Sequence, residues 1–181
     1  MWRTQLLCGK TTVMSLKLRY VNDESLRKLC QLVSKEELEE IKLLVPEMIA
    51  VMKNSGGIAL AANQVGITKR FFIMSTDAGV ELFINPKILQ SSNLRSFDES
   101  CLSIPGVSQK TKRFHSITVR YLDINFEEQT RDFLGINAIA VQHEIDHLDG
   151  KLYIDNLPTP QKMLLLYKHK QFIKRRNSCY S

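Results

Sequence analysis

Hydrophobic residues recur along this chain at two spacings. A period of about 3.6 residues predicts helices, and alternation with polar residues predicts strands. Apolar residues recur at helical spacing from Leu38 to Met52, directly after a capping-box pattern formed by Ser34 and Glu37. Pro46 lies inside this stretch, where it should kink the helix or mark a boundary. We interpret the apolar face of this helix as core.

Alternation of apolar and polar residues predicts several short strands. The candidates are residues 16–21, 70–75, 80–85, 116–124 and 129–133. A turn signal at 77–79 joins the second candidate to the third, and Pro86 closes the third. The last two candidates should pair across a polar connection.

These elements predict an α+β fold, with antiparallel sheets around a central helix that carries an H-E-x-x-H motif, and with N-terminal and C-terminal helices. No internal repeat or linker divides the chain. We therefore expect one main domain at residues 15–160. A flexible or targeting extension at 1–14 precedes it, and a basic C-terminal helix or tail at 161–181 follows it.

The composition is that of an ordinary soluble globular protein. The chain has 181 residues, of which 44% are hydrophobic and 24% charged, and this length fits one domain with a sizeable core. No apolar run approaches the roughly 18 residues that a membrane helix needs. The four cysteines are far apart and form no C-x-x-C pair, which favours a reducing compartment.

Charge is unevenly distributed along the chain. Residues 161–181 contain six basic side chains and no acid, and residues 1–20 contain four basic side chains and no acid. The body between them carries 15 basic and 19 acidic residues. A basic run of this kind is most often a solvated helix face.

The main candidate for chemistry is the sequence Q-H-E-I-D-H-L at residues 142–148. On a helix, His143 and His147 lie one turn apart on the same face, where two imidazoles can hold one metal ion. Glu144 beside them can take a proton from a water whose pKa a divalent cation lowers to about 7. A solvated helix face is the alternative, but the flanking Ile139 and Val141 would bury this helix.

Two histidines leave a metal site incomplete, since hydrolytic metals usually take three protein ligands. Metzincin proteases supply a third histidine after a glycine, but here Gly150 is followed by Tyr153 at the histidine position. The ligand must come from elsewhere, and the candidates are Asp149, Asp155, His169, His115, Glu99 and Cys101. Cys101 lies just before a turn that could present its thiolate, although a lone cysteine is commonly a small buried hydrophobe.

Three separated segments together resemble the peptide deformylases. That family carries G-x-G-L-A-A-x-Q, E-G-C-L-S and Q-H-E-x-D-H-L, and this chain reads G-I-A-L-A-A-N-Q at 57–64, E-S-C-L-S at 99–103 and Q-H-E-I-D-H-L at 142–148. Order and spacing agree from about residue 16 to 160. The resemblance implies a metal-dependent hydrolase that removes the formyl group from the N-terminal N-formylmethionine of nascent polypeptides and releases formate.

The resemblance also implies a role for each matching residue. Cys101, His143 and His147 would bind the metal, and Glu144 would act as general base and then acid. Gln64 and the backbone N–H of Leu102 would stabilise the oxyanion. The remaining implied residues are Gly57, Ile58 and Ala59 beside the substrate backbone, Ile58, Leu102, Ile139 and Ala140 around the methionine side chain, and Glu99 paired with Arg113 to fix the Cys101 loop.

The chain departs from the family pattern at two positions. Ala59 replaces the second glycine of the first motif, and Ser100 replaces the glycine of the second. Both add atoms near the peptide cleft without touching a ligand, so we expect them to affect substrate preference and rate.

Two functions are alternatives to deformylation. A metallopeptidase built on H-E-x-x-H is disfavoured by Tyr153 and by the two additional motifs. A catalytically silent, ribosome-binding module of the same family would be expected to lack Cys101, Glu144 or Gln64, and all three are present.

The resemblance further implies one divalent metal ion, with Fe²⁺ expected and Zn²⁺, Ni²⁺ or Co²⁺ as alternatives. The expected partners are the nascent formyl-methionyl peptide and, through the basic tail, the ribosome, with no membrane contact and a monomeric state. The expected location is the cytoplasm of a bacterium or of a phage-infected cell, or an organelle if residues 1–14 belong to a transit peptide.

Overall fold

The computed structural model describes residues 16–178, and the fold in this part of the chain is α+β as predicted. The predicted extension at 1–14 lies outside the described residues. The helices are α1 (Leu38–Asn54), α2 (Gly135–Leu148) and α3 (Thr159–Ser178), the strands are β1 (Ala59–Ala61), β2 (Phe71–Thr76), β3 (Gly79–Cys101), β4 (Ile104–Leu122) and β5 (Glu128–Leu134), and short 3₁₀ helices cover Glu24–Arg27, Lys35–Glu37 and Ala62–Val65.

The five strands form one antiparallel sheet in the order β1-β2-β3-β4-β5. Both predicted hairpin pairings are present, with Phe72 opposite Phe83 and Ile117 opposite Phe133. Because side chains alternate along a strand, Phe72 and Phe83 pack towards α2, whereas Phe71 and its neighbours pack towards α1. The sheet therefore has a core on each face, and α2 is buried in one of them.

Strands β3 and β4 form a long hairpin whose turn reaches the central helix. The prediction that the strand closes at Pro86 is wrong, since β3 continues to Cys101. The register with β4 shifts between Ile84 and Lys87, and this irregularity accommodates a proline that has no N–H to donate. The hairpin ends with Cys101 opposite Ile104, so the E-S-C-L-S motif occupies its tip.

Two further sequence expectations are corrected by the structure. Residues 16–21 are not a strand of the sheet. The Arg19 N–H donates to the Gln64 carbonyl (2.7 Å) and the Val21 N–H donates to the Ser103 carbonyl (3.0 Å), and both acceptors lie outside the strands. Helix α1 passes through Pro46 without interruption, so Pro46 does not mark a boundary. The capping interaction is present, with the Ser34 N–H donating to the Glu37 carboxylate at 3.0 Å.

The C-terminal helix α3 packs against the beginning of β4. Its Leu165 is buried in a cluster that includes Cys101, Ile104 and Tyr153. In the described part of the chain, no helix is long and apolar enough to cross a membrane.

Asp155 ties three parts of the fold together near α3. Its carboxylate accepts from Arg27 Nη1 (2.5 Å), from the Leu152 N–H (2.8 Å) and from Lys162 Nζ (3.0 Å). Burial alone would raise the pKa of Asp155, but these three donors outweigh it and lower the pKa to about 2. The ionised carboxylate therefore stabilises the folded state.

We predict that Asp155→Asn lowers the free energy of unfolding by about 1 kcal/mol at pH 7. Since the folded pKa is depressed, the difference from wild type should be complete above about pH 4 and should shrink as the pH falls towards 2. Urea unfolding across this range measures it, with the exposed Asp77→Asn as control. If the difference in unfolding free energy between wild type and Asp155→Asn did not change with pH, the lowered pKa of Asp155 would be contradicted.

Candidate active site

Three buried donor atoms converge where the tip of the β3–β4 hairpin meets α2. Cys101 Sγ lies 3.1 Å from His147 Nε2, which lies 3.2 Å from His143 Nε2, and the ligand atoms of the three residues are all within 4.8 Å of one another. Atoms that share a tetrahedral ion at bond lengths of about 2.0–2.3 Å are about 3.3–3.6 Å apart. The donor set therefore fits one transition-metal ion.

Helix α2 is held in place at its C-terminal end, next to the second histidine. Asn63 Nδ2 donates to the His147 carbonyl at 2.5 Å, and the Cys30 N–H donates to the Leu148 carbonyl at 2.9 Å. Both bonds satisfy carbonyls that the helix itself leaves without a partner. The Asn63 bond also connects the G-I-A-L-A-A-N-Q segment to the H-E-I-D-H segment.

A buried carboxylate orients the first histidine. Glu99 Oε1 lies 2.5 Å from His143 Nδ1, and Glu99 also accepts from Arg113 Nη2 (2.7 Å) and Nε (2.9 Å) and from Thr111 Oγ1 (2.5 Å). Burial would raise the pKa of Glu99, but the bonds from His143 and Arg113 hold it well below its usual range. When Nδ1 donates to the carboxylate, Nε2 is free to face a metal.

The second histidine has a different environment. His147 is 1% exposed, and its Nδ1 atom has no hydrogen-bond partner among the described residues. Burial, with a further contribution from the neighbouring His143, lowers the pKa of His147 well below its usual value. Its imidazole is therefore neutral at pH 7, which is the form that binds metals.

Glu144 lies next to the donor atoms with one oxygen unpaired. Its side chain is buried, and Oε2 has no partner in the described part of the molecule. Burial raises the pKa of Glu144 to about 7, against the opposing effects of His143 and the Ala61 N–H. A carboxyl group with a pKa near neutrality can both accept and return a proton.

The amide of Gln64 is directed at the hairpin tip. Its Oε1 accepts from the Ala61 N–H at 2.8 Å, so its Nε2 points towards Cys101 Sγ (3.7 Å) and Ser103 Oγ (3.2 Å). Leu102 is the first residue of the hairpin turn, and its side chain packs directly on Gly57, where an added Cβ would lie 2.5 Å from Leu102 Cδ1.

A cavity of about 550 Å³ opens beside these residues. Its walls include every residue that the sequence assigns to the peptide cleft, namely Gly57, Ile58, Ala59, Leu102, Ile139 and Ala140. Ile139 and Ala140 are buried, whereas Ile58 is 47% exposed and can be covered by an apolar ligand. The two departures from the family pattern, Ala59 and Ser100, also lie in the cavity wall.

The backbone along this wall is only partly available to a ligand. The Gly57 N–H donates to the Met52 carbonyl (3.0 Å), and the Ile58 carbonyl accepts from the Ser75 N–H (2.8 Å). Strand β1 is at the edge of the sheet, so the alternation of an antiparallel ladder directs the N–H and C=O of Ala59 towards the open side. Ala59 therefore offers both pairing groups, whereas the N–H of Gly57 is already engaged.

The other candidates for a third ligand are engaged elsewhere. Asp149 pairs with Arg70 (2.6 Å), Asp155 pairs with Arg27, and His169 Nδ1 lies 3.0 Å from the Pro105 carbonyl. His115 packs beside Phe97. The structure brings Cys101 to the two histidines and places Glu99 behind His143.

Two residues of the site were missed by the sequence analysis. Asp146 accepts from Arg113 Nη1 at 2.5 Å, and Asn63 holds the carbonyl of His147. The signal that the sequence held for Asp146 was its position within the Q-H-E-I-D-H-L segment.

Taken together, the buried cysteine and two histidines, the unpaired carboxylate beside them and the adjoining cleft define a metal-dependent hydrolase. A family model described as polypeptide deformylase matches residues 15–163. The chain belongs to the peptide deformylase family, whose members remove the formyl group from nascent formyl-methionyl peptides. This confirms the resemblance seen in the three motifs.

Individual relatives match most of the chain. Peptide deformylase 1 of Clostridium perfringens is 44% identical over 141 residues, which cover 77% of this chain and 95% of that protein. The crystal structure of a peptide deformylase from Legionella pneumophila has a TM-score of 0.85 at 31% identity and covers 90% of this chain and 97% of its own. The peptide deformylase from Synechococcus elongatus, solved in complex with actinonin, has a TM-score of 0.79 at 32% identity over 92% and 91% of the two chains.

We predict that Glu99→Gln weakens metal binding about 10-fold to 100-fold, because the amide orients His143 less firmly than the carboxylate does. The variant should also lose about 3 kcal/mol of stability, since Arg113 keeps only one of its two anionic partners in a buried site. Competition between the protein and a chelator for Zn²⁺ measures the first effect, and urea unfolding measures the second.

The matched control is Asp98→Asn, which removes a carboxylate from the adjacent, exposed position of β3. Equal Zn²⁺ affinity in wild type and Glu99→Gln would show that Glu99 does not act through His143.

Proposed function

We propose that this protein deformylates N-formylmethionyl peptides with Cys101, His143 and His147 as metal ligands and Glu144 as general base. The observation that carries the proposal is the unpaired, buried Oε2 of Glu144 beside three converging donor atoms. A divalent cation held by these atoms would supply an acidified water and polarise the formyl oxygen. Glu144 takes the proton of the attacking water and returns it to the methionine nitrogen as the C–N bond breaks and formate leaves.

The oxyanion that develops on the formyl oxygen needs donors already in position. Gln64 Nε2 is fixed in orientation by the bond between its Oε1 and the Ala61 N–H. The backbone N–H of Leu102 follows the cysteine ligand directly. Preorganised donors of this kind contribute about 3 kcal/mol each to transition-state stabilisation, because they require no rearrangement as charge develops.

The substrate is proposed to bind as an additional strand along β1. The Ala59 N–H and C=O face the open edge, so an extended peptide can pair with them. The methionine side chain then contacts Ile58, Leu102, Ile139 and Ala140. Ile58, which is 47% exposed in the free protein, is covered in this arrangement.

For the resident cation we propose Fe²⁺, as the family resemblance implies. One thiolate and two imidazoles also accept Zn²⁺, Ni²⁺ or Co²⁺. We further propose that the protein is a monomer and that it works in the cytoplasm. Sedimentation velocity of the purified chain would test the monomeric state.

We predict that Glu144→Gln reduces the release of formate from formyl-Met-Ala-Ser by about 10²-fold to 10⁴-fold while metal content stays the same, since the glutamine keeps the shape but accepts no proton. The assay is run without oxygen on protein loaded with Fe²⁺ or Ni²⁺, and exposure to air should abolish only the Fe²⁺ activity. Glu40→Gln, on the exposed side of α1, is the control. Wild type that binds metal and releases no formate would refute the proposal.

We also propose that α3 contacts ribosomal RNA through a basic surface formed by Lys170 and Lys174. These side chains are exposed and make no ion pair within the described residues. Lys170 and Lys174 are one turn apart and lie opposite the side on which Leu165 and His169 are buried. Because those two residues belong to the core, removing the whole helix would damage the fold, and substitutions are the better test.

We predict that Lys170→Gln combined with Lys174→Gln weakens ribosome binding and makes the negative slope of log affinity against log salt less steep by about 1.5. Co-sedimentation with ribosomes at several KCl concentrations measures this slope. Hydrolysis of free formyl-Met-Ala-Ser should not change. Lys53→Gln combined with Lys87→Gln removes the same charge from other exposed sites, and an equal effect of the two pairs would contradict a specific surface.

A further inference from the structure

One side of α3 lies on the segment that follows the cysteine ligand. Leu165, His169, Phe172 and Arg176 are spaced by four, three and four residues, so they share one face of the helix. Leu165 is buried in the cluster that contains Cys101 and Ile104, and His169 Nδ1 lies 3.0 Å from the Pro105 carbonyl. This face is therefore held against residues 101–107.

The contact becomes closest at Gly106. A Cβ added there would lie 2.2 Å from Phe172 Cγ, and the φ of Gly106 is +81°, a conformation that favours glycine. Glycine thus lets the aromatic ring of α3 rest directly on the backbone of β4. The last turns of the helix are positioned over the edge of the catalytic cavity as a result.

Arg176 follows Phe172 by one turn and reaches the same cavity as the metal ligands. It lines the cavity together with Pro105, Gly106 and Val107. Among the described residues of this wall it is the sole lysine or arginine, its side chain is exposed, and it makes no ion pair in the described part of the chain.

The acidic groups of the same wall do not neutralise it. Glu99 is bonded to His143 and Arg113, and Glu144 is buried beside the donor atoms. Asp98 also lines this wall, but it makes no ion pair with Arg176 among the described residues. An unpaired guanidinium at the rim of a peptide cleft offers two parallel N–H donors that match a carboxylate.

We propose that Arg176 is a specificity-determining residue, whose guanidinium binds the carboxylate of an acidic side chain in one of the two residues that follow formylmethionine. The inference rests on the deformylase activity proposed above. The contact is distant from the formyl carbon and is made equally in the ground and transition states, so it lowers KM and leaves kcat unchanged. Exposure to solvent limits the gain to about twofold to fivefold.

The test compares kcat/KM for four peptides with amidated C-termini, formyl-Met-Glu-Ser and formyl-Met-Ala-Glu against the same peptides with glutamine in place of glutamate. Wild type should favour at least one glutamate peptide by about twofold to fivefold, less at high salt. Arg176→Gln should abolish the preference and Arg176→Glu should reverse it. Arg175→Gln makes the same change at a neighbouring exposed arginine outside the cavity and should keep the preference.

Equal kcat/KM for glutamate and glutamine peptides in wild type would overturn this inference and leave the deformylase function intact. A preference that persists in Arg176→Gln would also overturn it. Failure to release formate from any of the four peptides would instead overturn the proposed function, and the role of Arg176 with it.

Discussion

The buried carboxylate of Glu99 is the group on which the arrangement of the active site depends. It belongs to β3, yet it bonds to His143 on α2 and to Arg113 and Thr111 on β4. Arg113 continues the connection to Asp146 on α2. Two hydrogen bonds join the buried Glu99 carboxylate to the partly buried Arg113 guanidinium, and separating the two would leave the carboxylate uncompensated in the interior. This network brings Cys101 to His143 and His147.

The elements that could be predicted from the sequence are those whose signal is local. The stripe in α1 and the pairings of β2 with β3 and of β4 with β5 depend on neighbours within about 20 residues, and periodicity was sufficient for them. Strand β1 has only three residues, too few for alternation to be visible. The continuation of β3 past Pro86 was hidden because a register shift in the ladder removes the usual cost of proline.

The same distinction holds in the site. His143, Glu144 and His147 share one helical turn, so their cooperation could be inferred from spacing alone. Cys101 is 42 residues before His143 and needed the family resemblance, and Asp146 was missed because its partner Arg113 is 33 residues away. For Arg176, the sequence indicated no role in the cleft, and the reason is different. Its charge placed it in a basic tail, and the packing of α3 on residues 101–107, closest between Gly106 and Phe172, brings it to the cleft.

That contact between Gly106 and Phe172 also affects when a newly made molecule becomes complete. Domains are synthesised from the N-terminus, so the two histidines and the cysteine leave the ribosome before the helix that covers the hairpin tip. The rim of the cleft forms only when the last turns of α3 have emerged and the ring can settle on the glycine. Each molecule therefore completes the rim of this cleft only after α3 has been made, later than the segments that carry Cys101, His143 and His147.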